Sequence, residues 1–118
     1  MDYGKLSDQE INMAVAEILF PDRPVIESKS RPPCACITGH EPSKWVDYCN
    51  NPADAWPIMA ENKISVMWMT TEKQWCAWAN GDLEEGCWEW SYCPDEYHHD
   101  DNPLRAVAIV YLMMQEAK

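Results

Sequence analysis

Asp47-Tyr48-Cys49-Asn50-Asn51-Pro52-Ala53-Asp54-Ala55-Trp56-Pro57-Ile58-Met59 is the stretch around which the rest of the chain is organised. Asn50 or Asn51 accepts a hydrogen bond from the free N–H groups of a helix start, and Pro52 suits the first helical position. Asp54 falls in the first turn, where the helix dipole favours negative charge. Pro57 limits how far the helix runs. The stretch therefore predicts one or two helical turns near residues 52–56, with Trp56 and Ile58 driven inward. It is a structural device.

Toward the N-terminus, Ser7 and Glu10 form the capping-box pair of a helix start. Ile11, Ala14, Val15, Ile18 and Leu19 recur at three- and four-residue spacing, which predicts an amphipathic helix over Asp8–Leu19 that Pro21 stops. Residues 21–33 hold four prolines and read as loop, with Val25-Ile26-Glu27 a short edge strand. Cys34-Ala35-Cys36-Ile37-Thr38 reads as another short strand closed by Gly39, and residues 40–44 as a surface loop.

Toward the C-terminus, residues 64–69 are rich in β-branched and aromatic side chains and predict a strand. Residues 74–79 are its pairing partner, and Asn80-Gly81 signals a hairpin. Cys87-Trp88-Glu89-Trp90-Ser91-Tyr92 alternates cleanly between faces, completing an antiparallel meander. Residues 94–101 read as an acidic loop. Asn102-Pro103 repeats the helix-start logic, and the helix over residues 103–117 is apolar around most of its circumference. The expected fold is α+β: one domain over residues 1–118, in which a small antiparallel sheet of three or more strands packs against an N-terminal and a C-terminal helix.

The chain has 118 residues, 47% of them hydrophobic, enough for one modest core. Twenty acidic and nine basic residues give a formal charge of −11. Such a field repels phosphate backbones, so direct nucleic-acid binding is disfavoured and a basic protein surface is the better partner. No signal peptide is read at the start, so the six cysteines are expected as free thiols in a reducing compartment. The longest strongly apolar run, residues 106–114, is far shorter than the about 20 residues a membrane span needs.

Three segments resemble the NinX-like proteins of lambdoid bacteriophages and prophages, a family of unknown molecular function. They are Leu6-Ser7-Asp8-Gln9-Glu10-Ile11-Asn12-Met13-Ala14-Val15-Ala16, the central Asp47-Tyr48-Cys49-Asn50-Asn51-Pro52-Ala53-Asp54-Ala55-Trp56-Pro57-Ile58, and residues 102–116 from Asn102-Pro103-Leu104 to Met114-Gln115-Glu116. Residues 21–46 and 71–101 carry none of the likeness. The resemblance implies a small phage accessory protein acting in the bacterial cytoplasm, and supplies no catalytic residue.

Candidate chemistry is thin. Cys34, Cys36, Cys49, Cys76, Cys87, Cys93, His40, His98 and His99 are metal-ligand types, but Cys34-x-Cys36 is tighter than the usual paired spacing of structural zinc. No metal or cofactor is expected. Glu84-Glu85, Asp95-Glu96 and Asp100-Asp101 read as solvated charge, and no hydrolase or phosphate-loop motif is present. Seven tryptophans exceed what so small a core readily hides. Trp56 and Trp68 are assigned to the core. Trp75, Trp78, Trp88 and Trp90, bordered by Glu84, Glu85, Asp95 and Glu96, are the expected partner-binding residues, since aromatics are enriched in interface hot spots. The functional expectation is a non-enzymatic accessory protein that binds a host or phage protein. A specific version is an acidic, DNA-mimicking inhibitor of a defence or nucleic-acid-handling protein. The rival is a small metal- or thiol-dependent enzyme, and a third reading is a homodimer.

Overall fold

The computed structural model describes residues 2–39, 42–83, 90–92 and 94–118, with backbone alone at 82, 83 and 90–92. Within them the fold is α+β, as expected, but it uses two three-stranded antiparallel sheets rather than one. Helix α1, Asp8–Leu19, begins at the predicted capping box, with Ser7 and Glu10 each satisfying the other's backbone N–H. Its buried face is Ile11, Asn12, Val15 and Ala16. The expected stripe is thus rotated: Ile18 and Leu19 stay exposed, because Asn12 is drawn into the interior by polar partners described below.

Strands β1, Val25–Glu27, β2, Ala35–Ile37, and β3, Lys44–Val46, form the first sheet in the order β1-β2-β3. β1 and β2 fall where the sequence places them. β3 is a strand where the sequence reading places none, and its first residue, Lys44, falls in the expected loop. α1 lies on β1 and β2.

Helix α2, Pro52–Asn62, spans eleven residues and passes straight through Pro57, which corrects the expected one or two turns. The missing Pro57 N–H forfeits only the bond to the Ala53 carbonyl, one turn back. Lys63, at φ 56°, caps the far end in the left-handed conformation. Residues two apart on a helix point about 200° apart, so Trp56 and Ile58 cannot both face inward. Ile58 is 3% exposed and Trp56 is 62% exposed, which removes Trp56 from the core.

The second sheet has the order β4-β5-β8, built from β4, Ser65–Met69, β5, Gln74–Ala79, and β8, Glu96–Asp100. The third strand is therefore Glu96–Asp100, where the sequence suggested an acidic loop, and not residues 90–92; residues 87–89 of the expected strand lie outside the described residues. Asp82–Leu83, β6, and Trp90–Tyr92, β7, pair as a separate ribbon. The base of this excursion is tight: a Cβ at Gly81 would lie 2.8 Å from Pro94 Cβ. Only glycine lets the two chain segments meet so closely there, next to the Ala79–Glu96 pair of the sheet.

Helix α3, Pro103–Glu116, is the central element. Every residue from Ala106 to Leu112 is buried, since α3 packs on α1, on α2 and on all three strands of the second sheet. Ala77 and Ala79 join its core cluster, and by strand alternation Cys76 and Trp78 lie on the opposite face. Burying one Ile side chain such as Ile109 contributes about 1.5–3 kcal/mol.

Candidate interaction surface

The Asp47–Asn51 turn brings three helix starts together. Asn51, not Asn50, caps α2, its Oδ1 accepting from the Ala53 N–H at 3.0 Å, while Asp54 in the first turn accepts from the Asp47 N–H at 2.9 Å. Asn50 Nδ2 donates to Asp8 and Asp47. Asn12 on α1 donates to the Pro33 carbonyl and to Asp47, and accepts from the Cys49 N–H at 3.2 Å. Asn102, the α3 cap, donates to the Cys49 carbonyl at 2.6 Å. Arg105 closes the cluster. Its Nε lies 3.3 Å from Asp8 and 3.6 Å from Asp100, and its Nη2 donates to the carbonyls of Gly4 and Leu6. These carboxylates are committed to holding elements together.

Burial dominates the shifts of several thiols and of His98. Burial, reinforced by the Asp8 charge, pushes the Cys49 thiol far above its ordinary value. Burial also raises Cys34 and Cys76. A nucleophilic thiolate needs the opposite shift. His98, with Nε2 3.4 Å from Asp100, is pushed down by burial against the opposing pull of that carboxylate. Among the described residues no three His, Cys, Asp or Glu side chains converge in a way that would hold a metal ion.

Of the expected partner-binding residues, Trp75 is half-buried in β5 and meets Trp68 edge-on, with ring centroids 5.5 Å apart. Trp78 is 7% exposed and so belongs to the interior of the sheet's second face. Asp95 is exposed, and Glu96 is half-buried opposite Ala79. Glu84, Glu85 and Trp88 lie outside the described residues, as do the side chain of Trp90, His40, Cys87 and Cys93.

Among the described residues the exposed tryptophans are others. Trp68, assigned above to the core, is 45% exposed at the sheet edge. Trp45 is exposed on β3, with the Arg31 guanidinium 4.3 Å above its ring. Trp56 stands beside an apolar cavity of about 440 Å³ between α2 and α3, which Met59, Leu104 and Val107 also line. Its signal was present in the sequence: a helix carried past Pro57 puts residue 56 opposite the core residue Ile58.

Two three-stranded sheets and three helix starts tied to one turn define a small α+β protein. The family model described as bacteriophage P22 NinX matches residues 2–115, so the chain belongs to that family. Among curated proteins and among solved structures, none matches the chain.

Proposed function

We propose that this phage accessory protein is not an enzyme and works by binding a host or phage protein in the bacterial cytoplasm. The observation that carries the reading is the exposure of Trp45, Trp56 and Trp68 in a chain whose formal charge is −11. Exposed large aromatics of this kind serve as anchors in interfaces, and a negative field draws basic partners. The upward shifts of Cys34, Cys49 and Cys76 support the non-enzymatic side of the proposal. A finer version makes the partner a defence or nucleic-acid-handling protein, whose DNA-binding surface meets carboxylates in place of phosphates.

Capture from host lysate on immobilised protein tests this. Retention that survives high salt and is lost in Trp56→Ser or Trp68→Ser supports a packed interface. Retention lost at moderate salt supports mimicry, because exposed charge contacts are screened. No retained protein under either condition sinks both versions. No helix among the described residues is long and apolar enough to cross a membrane.

A further inference from the structure

Helices α1 and α3 do not close on each other along their outer edge. They leave an open groove of about 600 Å³, floored by Ala14, Ile18 and Leu112 and rimmed by Glu10, Glu17 and Glu116. Among the described residues no lysine or arginine lines it. Glu10, Ala14, Glu17 and Ile18 are spaced i, i+4, i+7 and i+8, so they form one stripe beside the buried Ile11 and Val15. Glu10 and Glu17 therefore stand two turns apart, about 10 Å along the axis.

The rim charges are directed. Glu10 accepts from the Ser7 N–H at 3.0 Å, and that backbone bond holds its carboxyl below the usual range. Glu116 accepts from the Tyr3 hydroxyl at 2.7 Å. Ile18, 38% exposed, offers apolar area between them. An apolar floor with fixed carboxylates on both walls is complementary to an element with one apolar face and cationic flanks. A second copy is the wrong occupant, because a two-fold contact here would set glutamates against glutamates on two chains of −11 charge.

We propose that the α1/α3 groove seats a cationic amphipathic helix of a partner protein. Its apolar residues at i, i+3 or i+4, and i+7 lie on Ala14, Ile18 and Leu112, and lysines or arginines two turns apart meet Glu10 and Glu17. The assignment rests on the partner-binding reading and names the surface and chemistry through which it operates.

The test uses the intact chain and a labelled synthetic peptide of about 14 residues, four helical turns, with leucines on one face and lysines on the other. A scrambled isomer of the same composition has no apolar face. Fluorescence anisotropy is expected to show the first peptide binding about tenfold or more tighter than the second, and Glu17→Lys and Ile18→Ser each weakening it about tenfold. Glu72→Lys, the same charge change in the distant β4–β5 turn, leaves binding within about twofold. Far-UV circular dichroism confirms that each variant is folded. Equal binding of the two peptides, equal damage from Glu72→Lys and Glu17→Lys, or no binding to the unmodified chain overturns the groove assignment. If a host protein captured from lysate is held equally well by Ile18→Ser, the groove fails while partner binding stands. If the unmodified chain captures nothing, the underlying reading fails instead.

Discussion

Asn102 reaches back 53 residues to Cys49, donating through Nδ2 to its carbonyl at 2.6 Å. The same side chain caps α3 through Oδ1, which accepts from the N–H groups of Leu104 at 2.9 Å and Arg105 at 3.3 Å. One amide thus starts the central helix and fastens it to the turn that starts α2. Loss of a helix cap costs about 0.5–2 kcal/mol, and an orphaned buried acceptor about 1–3 kcal/mol.

Asn102→Ala removes both functions and is expected to destabilise the chain by about 2–4 kcal/mol in urea unfolding. Asn102→Asp keeps an acceptor for the helix start but loses the donor to Cys49. Its cost should fall between those of the unmodified chain and the alanine variant. Equal losses for the two variants would mean that the Cys49 bond accounts for the whole effect.

Asn12 is fully buried on α1 and serves three partners: the Pro33 carbonyl, Asp47 and the Cys49 N–H. Asn12→Leu keeps the branching and the number of heavy atoms, yet it leaves those groups facing a bulkier, apolar side chain. The expected loss is about 3 kcal/mol or more, because orphaned buried polar groups lose their solvation without compensation. Urea denaturation checks it, and a change under about 1 kcal/mol would show that water replaces the amide.

Trp56 and Ile58 give a matched pair on one helix. Ile58→Ala opens a core cavity and should cost about 2–4 kcal/mol. Trp56→Ser removes a larger side chain but little buried contact, so stability should change by less than about 0.5 kcal/mol. Thermal and urea unfolding of the two variants would reverse this order if Trp56 were a core residue.

His98 should make stability sensitive to mild acid. Its folded pKa lies below the ordinary 6.5 because burial disfavours the charged ring. The unfolded chain therefore takes up the proton first as pH falls, and stability drops from pH 6.5 down to the lower folded value. Asp100 opposes the shift, and Arg105 and His99 reinforce it. In His98→Gln, which cannot titrate, the urea midpoint should fall less between pH 7.5 and about 5.5 than in the unmodified chain. Parallel profiles would remove His98 from the pH response.

Local chemistry alone accounts for much of what the chain builds. Ser7 and Glu10 announce α1, Asn51-Pro52 and Asn102-Pro103 announce α2 and α3, and the residue types of 65–69 and 74–79 announce a hairpin. Each of these signals acts within a few residues, so it survives without knowledge of the rest. The excess of tryptophan and acidic residues is equally legible, because it is a matter of composition.

Tertiary structure decided what local signals leave open. Glu96–Asp100 lacks the alternation of a strand, and it is one because it pairs in register with β5, a partner some twenty residues earlier. Trp56 points outward because Ile58 takes the buried side of a helix that packing carries through Pro57. Asn12 is buried because Asp47 and Cys49, more than 30 residues away, complete its hydrogen bonds. The groove of Ile18, Glu17 and Glu116 exists only where α1 and α3 lie side by side. Caps and turn residues act over one turn of chain, whereas burial and hydrogen-bond satisfaction depend on partners that only the folded topology brings within reach.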